Sequence, residues 1–268
     1  MQDLNKHVAI CDEFFNDAST RAKGELQYNR RVSRIVTPGT LIDEHFMNPW
    51  ENNYLLSIHI DPEVSEKHSV RPSLEGSKVS SLLTLPRTEV GLAWIDLSSG
   101  DFLTQSTDIA SLPSAVARIK PREIVLDSIF QEQQHSEIVS SLQEDGYIIT
   151  FQQPDMQTLS VTEWRPMLED AVNDFDTSHF SPGEIAAGGS LLNYIKHQLL
   201  GSRTQLQTPI RHQADEHMAI DKNSLRALEL RNTIRDGAYQ GSLLHTVKKT
   251  VTKSGTRLLT QRLGKLIA

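Results

Sequence analysis

Residues 89–107, EVGLAWIDLSSGDFLTQST, decide the fold. An apolar run through Val90, Leu92, Trp94 and Ile95 reaches Ser98-Ser99-Gly100, turn chemistry in which glycine tolerates positive φ, and a second strand-like run with Phe102 and Leu103 follows. The pattern predicts a β-hairpin. Working upstream, NNYLLSIHI (52–60) is rich in apolar, β-compatible residues and reads as a buried strand, separated from the hairpin by a polar surface loop that begins at Asp61. Working downstream, Leu112–Ile119 has the spacing of a short helix that Pro121 ends, and EIVLD (123–127) is a short buried strand. Residues 131–145 carry Ile138 and Leu142 on an amphipathic helix closed by Gly146, and YIITF (147–151) is again a strand. Strands alternating with helices predict an α/β layer between about 52 and 155.

Both flanks read differently. HVAICDEFF (7–15) opens with a strand-like apolar run, NDASTRAKGELQYNRR (16–31) is polar and reads as loop, and RVSRIV leads into a turn at Thr37, Pro38, Gly39 and Thr40. After Pro154 helical spacing takes over. Ile185, Gly189, Leu192, Ile195 and Leu199 form one face of a helix that its central glycine pair should weaken. Asp221 can cap a helix in NSLRALELRNTI, and Gly241-Ser242 opens another whose buried stripe is Leu244, Val247 and Val251, with Gly255 as an interruption. Leu258 or Leu259, Leu263, Leu266 and Ile267 continue an apolar stripe to the last residue, as in a helix that is cut short.

Composition narrows the function classes. With 38% hydrophobic and 23% charged residues the chain resembles a folded soluble protein, long enough for two domains. Cys11 is the only cysteine, which excludes an internal disulfide and a cysteine-rich zinc site. No apolar run is long enough for a membrane helix, and neither a signal nor a transit peptide pattern opens the sequence. The net charge of -7 argues against a general nucleic-acid binder. The exception is residues 231–268, where eight basic side chains stand against Asp236 alone. Lys248, Lys249, Lys253 and Arg257 are the candidates there for touching DNA phosphates.

Several segments, in order, resemble the MutS family of DNA mismatch-repair proteins. HVAICDE (7–13) and RIVTPGTLID (34–43) are similar to the end of that family's mismatch-binding domain. NNYLLSIHI, GLAWIDLSSGDF (91–102) and IKPREIVLD (119–127) resemble successive strands of its connector domain, which has an RNase H-like fold. LLNYIKHQ (191–198), MAIDKNSLRALELRNTIRDG (218–237) and GSLLHTVKKTVTKSGTRLLTQRL (241–263) resemble the opening helices of its core lever domain. The resemblance implies an α/β plus α chain: residues 1–45 from the mismatch-binding domain, 46–158 the connector and 159–268 the start of the levers. It implies a role in coupling mismatched-DNA binding to an ATPase domain, with Thr37 to Thr40 as an interdomain hinge. The family's mismatch-reading pair finds no counterpart in residues 1–15, and Gly264-Lys265 followed by Leu266 is not a phosphate loop. The expectation is therefore a chain without turnover or cofactor of its own, ATP and Mg2+ belonging to the full-length family. The resemblance further implies a homo- or hetero-dimer of MutS-type subunits on mismatched double-stranded DNA, and a connector surface for other repair proteins. NPWENNYLL (48–56) is similar to fungal organellar members, which implies a mitochondrion, with the nucleus as the alternative.

One rival comes from another class. An RNase H-like sheet often carries metal-binding carboxylates, so Asp96 and Asp127, both at strand ends, define a metal-dependent nuclease alternative. His197, His212 and His217 lack metal-ligand spacing and read as exposed or satisfied side chains. Ser98-Ser99 lacks the surroundings of a hydrolase nucleophile.

Overall fold

The computed structural model describes residues 6–15, 28–43, 47–48, 51–60, 89–131, 136–152, 160–168, 176–200, 205–212 and 220–264. Of the loop expected at 16–31, residues 16–27 lie outside the described residues, as do the loop from Asp61, His217 and the apolar stripe beyond Gly264, whereas Tyr28–Arg31 are strand rather than loop, paired with Asp12–Phe15.

The predicted hairpin forms. Strands β1 (Val8–Phe15) and β2 (Tyr28–Val36) make a separate antiparallel ribbon, followed by β3 (Tyr54–Ile60), β4 (Glu89–Asp96) and β5 (Asp101–Asp108). Helix α1 (Leu112–Ile119), β6 (Glu123–Leu126), α2 (Ser136–Glu144) and β7 (Ile149–Phe151) come next. Then follow α3 (Val161–Trp164), α4 (Pro182–Leu199), β8 (Ile210–Arg211), α5 (Lys222–Ala227), α6 (Leu243–Val247) and α7 (Lys253–Leu263). Six strands form one mixed sheet in the order β7-β6-β3-β4-β5-β8. β3, β4 and β5 are antiparallel neighbours, whereas β6 runs parallel to β3, and β7 parallel to β6.

Both faces of this sheet are covered, and that explains its near-continuous apolar strands. Strand side chains alternate faces, so Leu56 and Ile58 of β3 join Leu92, Trp94, Ile124 and Leu126 beneath α1 and α2. Leu55, Ala93, Ile95 and Val125 point the other way and meet Leu191, Leu192, Tyr194 and Ile195 of α4. Each fully buried leucine or isoleucine contributes about 1.5–3 kcal/mol. Helix α4 lies across β4, β3 and β5, so the break in sequence character near Pro154 is not a break in packing.

The glycines of α4 have a spatial purpose that the sequence reading took for local weakness. A Cβ on Gly188 would lie 2.8 Å from the ring of Trp164, and the bare backbone there admits that indole between α4 and Phe102. At the helix start, the backbones of Gly183 and Gly91 are in contact, and a Cβ on Gly91 would sit 2.1 Å from Gly183. Ser181 and Glu184 close the N-terminus as a reciprocal capping box.

The C-terminal segment departs from the expected long helices. Asp221 does cap α5, accepting from the N–H groups of Asn223 and Ser224, yet the helix ends at Ala227 and Glu229 adopts a left-handed φ of 47°. Of the stripe expected in α6 only Leu244 is buried, while Val247 is exposed and Val251 is 100% exposed. The chain leaves the helix at Lys248 because Thr250, Val251 and Thr252 are β-branched and Thr252 serves better as the next cap. Gly255 does not interrupt a helix: its N–H donates to Thr252 Oγ1 at 3.1 Å, inside the first turn of α7. Helix α7 buries Thr256 and Thr260, with Leu258 exposed, instead of the expected leucine stripe.

Candidate coupling site

Glu123 opens β6 and is 0% exposed. Its Oε2 accepts hydrogen bonds from the hydroxyl of Thr37 at 2.6 Å and from the N–H of Gly39 at 2.9 Å. Oε1 accepts from the hydroxyls of Thr150 and Tyr194, each at 2.7 Å. The turn after β2, strand β7 and helix α4 are thus gathered on one carboxyl group. A buried acid is tolerable only when its oxygens are filled, and here both are. Burial and the adjoining carboxylate push the Tyr194 phenol up from its ordinary range.

The Thr37–Thr40 turn is as closely held as its receptor. Thr37 N–H donates to Thr40 Oγ1 at 2.8 Å, Thr40 N–H donates to Thr37 O at 3.1 Å, and both threonines are buried. Asn53 Nδ2 donates to the carbonyl of Pro38 at 3.0 Å. Gly39 is obligatory, because a Cβ there would approach Leu55 Cδ1 to 2.5 Å and Glu123 Cβ to 3.0 Å. The segment expected to be an interdomain hinge is thus hydrogen-bonded both within itself and to Glu123.

Asp96, also buried, belongs to an adjoining network. It accepts from Asn53 N–H at 3.0 Å, and from the N–H and hydroxyl of Ser98 at 2.9 and 2.6 Å. Arg257 Nη1 of α7 donates to the same Ser98 hydroxyl at 3.2 Å, and Gln261 Nε2 donates to Tyr54 OH at 2.5 Å. These contacts fasten α7 to one end of the sheet. Asp127 is at the opposite end, since Tyr54 pairs with Asp96 whereas Ile58 pairs with Leu126. Its Oδ2 lies 3.9 Å from His59 Nδ1. Four strand residues of separation amount to roughly 13 Å, against about 4 Å between the metals of a two-metal site. The nuclease pairing of Asp96 and Asp127 therefore fails on geometry. Among the described residues no group of three His, Cys, Asp or Glu side chains could hold a metal ion.

The basic candidates differ in exposure. Lys249 is exposed in the loop after α6, Lys253 is exposed at the start of α7, Lys248 is half-buried, and Arg257 is turned to Ser98. His197 is exposed, and His212 is buried beside Trp94. Sequence reasoning missed Glu123. The available signal was an acid at the head of a fully apolar strand, since charged side chains are almost never fully buried unless partnered.

A family model described as MutS domain II matches residues 81–207, which span the hairpin, the crossover helices and α4. The DNA mismatch repair protein MutS of Bradyrhizobium sp. (strain ORS 278) is 32% identical over 260 residues, covering 96% of this chain and 26% of the relative. The chain belongs to the MutS family. Proteins of the same name from Wolbachia pipientis wMel and Rhizobium meliloti (strain 1021) are each 30% identical, covering 99% and 96% of this chain. This MutS-family chain spans about a quarter of the length of these curated relatives, 26% to 28%.

Proposed function

We propose that this chain is the coupling segment of a mismatch-repair protein, and that it relays the state of bound mismatched DNA to an ATPase elsewhere in the assembly without turnover of its own. In this reading the RNase H-like connector, expected over residues 46–158, extends through α4 and β8, a reading supported by the mixed sheet with helices on both faces. Residues 220–264 are the root of the levers, with Lys248, Lys249 and Lys253 as the phosphate contacts. Duplex DNA, a second MutS-type subunit, and ATP with Mg2+ are the partners of the whole protein, and a mitochondrial or nuclear location belongs to the same proposal.

The observation that carries the proposal is the Glu123 joint. Relays need rigid connections, because a displacement is lost in any loose contact along its path. Here one carboxyl group locks the ribbon side to the sheet, and Arg257 and Gln261 lock the sheet to α7. In the intact repair protein, Glu123→Gln should preserve mismatched-duplex binding while failing to restore a low mutation rate in a MutS-deficient strain. Thr37→Ser, which keeps the donating hydroxyl, should restore it. Full repair by a Glu123→Gln protein would refute the coupling role, as would equal failure of the two variants.

A further inference from the structure

Helix α1 and the 222–237 segment enclose a cavity of about 400 Å³ on the flank of the sheet module, away from the Glu123 joint. Its wall carries Arg118, Lys120, Lys222, Arg226 and Arg231, and no aspartate or glutamate is among its described lining residues. Two of these cations are answered from outside the wall: Lys120 by Glu51 at 2.5 Å, and Lys222 by Asp145. Glu51 is shared, since Arg122 also reaches it at 2.9 Å. Among the described residues Arg118 donates to the neutral side-chain amide of Gln105. Arg226 stands exposed at the mouth, and half-buried Arg231 comes within ion-pair distance of no carboxylate among the described residues.

An arginine remains charged in a protein, so a half-buried guanidinium in this position keeps its charge while losing water. Loss of water holds the Arg231 guanidinium below its ordinary value, with Glu51, Tyr54 and Tyr147 opposing the shift. Among the described residues, five cations line this cavity and two carboxylates, Glu51 and Asp145, pair with members of the set. Its remaining wall is apolar or aromatic, from Tyr147, Leu225 and Leu230. A volume of this size suits a small organic ligand more than a lone ion.

We propose that this cavity binds a small phosphate-bearing molecule with an aromatic or apolar part. Arg226 and Arg231 bind the phosphate through paired N–H donors, and the Tyr147 side holds the organic portion. This site is separate from the coupling role, and its failure would leave that role untouched. The test is calorimetric titration of the 268-residue chain with phenyl phosphate and with inorganic phosphate. Phenyl phosphate should bind saturably and more tightly than inorganic phosphate. Arg226→Gln and Arg231→Gln should each weaken it by about ten-fold or more, the loss expected for a charge-assisted hydrogen bond. Arg226 is exposed, so its substitution leaves the fold intact and keeps the test decisive if Arg231→Gln destabilises the chain. Lys196→Gln, exposed on α4 and outside the cavity, should have no effect. No saturable binding at millimolar phenyl phosphate, or equal weakening by Lys196→Gln, would overturn the site. Equal affinity for the two probes would overturn the role of the apolar wall.

Discussion

Glu123 shows how much one side chain can organise when water is absent. Four donors from three elements converge on it, and an unsatisfied buried donor costs about 1–3 kcal/mol, so the joint is worth more intact than any one of its bonds suggests. Tyr54 offers a second case, in which burial meets titration. Its phenol is pushed up to about 12, first by loss of water and then by the charges of Asp101 and Asp96. The unfolded chain would release this proton near the ordinary value of 10.0, so between there and about 12 the folded state holds more protons. Stability from this group is complete below pH 10.0 and is lost as pH rises through about 12. Urea midpoints measured at intervals across that window should fall steadily, and Tyr54→Phe should flatten the fall. A midpoint that stays level, or a slope unchanged by the substitution, would contradict this account. Neither residue was legible in the sequence. Glu123 and Tyr54 matter through partners separated from them by up to 86 and 207 positions, and no local pattern carries such information.

Helix α4 meets β4 so closely that the choice of glycine at Gly91 and Gly183 is dictated by backbone contact. The two positions are not equivalent. A Cβ on Gly91 would meet the Gly183 backbone at 2.1 Å, whereas one on Gly183 would find its nearest neighbour at 3.3 Å. Gly91→Ala should therefore destabilise the protein by about 3 kcal/mol or more, and Gly183→Ala by clearly less, in chemical denaturation. Equal costs would show that α4 shifts to relieve both. At this scale the sequence was most informative where pattern and environment agree. The hairpin, α1 and the strand at 123–127 were legible because turn chemistry, helical spacing and a short apolar run each have a local cause. The end of α6 was not, because β-branching and the capping ability of Thr252 outweighed the apolar spacing that suggested continuation. Helix α4 lay between these outcomes: its periodicity showed, while its place as the second cover of the sheet depended on close approach at glycines that look like helix weaknesses in isolation.

Across the molecule, the sheet is a plate with two fastenings at one end, the Thr37–Thr40 turn and α7, with Asn53 bonded to both networks. The α7 fastening is slight, resting mainly on Arg257 with Ser98 and Gln261 with Tyr54. A double substitution, Arg257→Ala with Gln261→Ala, should accelerate amide hydrogen exchange throughout residues 253–263 and leave β3, β4 and α4 as protected as before. Unchanged protection of α7 would mean that its threonine face holds it unaided. The MutS resemblance was legible across nearly the whole chain because it rests on the order of several short motifs. The short helices after residue 220 were not, since a likeness to long family helices says little about where each one ends. The sheet's outermost strands, β7 with three residues and β8 with two, have a separate consequence. Each rim presents so brief a row of free amide groups that a neighbouring chain finds almost nothing to zip onto. The plate should consequently resist fibril seeding even at concentrations where its exposed aromatic ribbon makes molecules adhere.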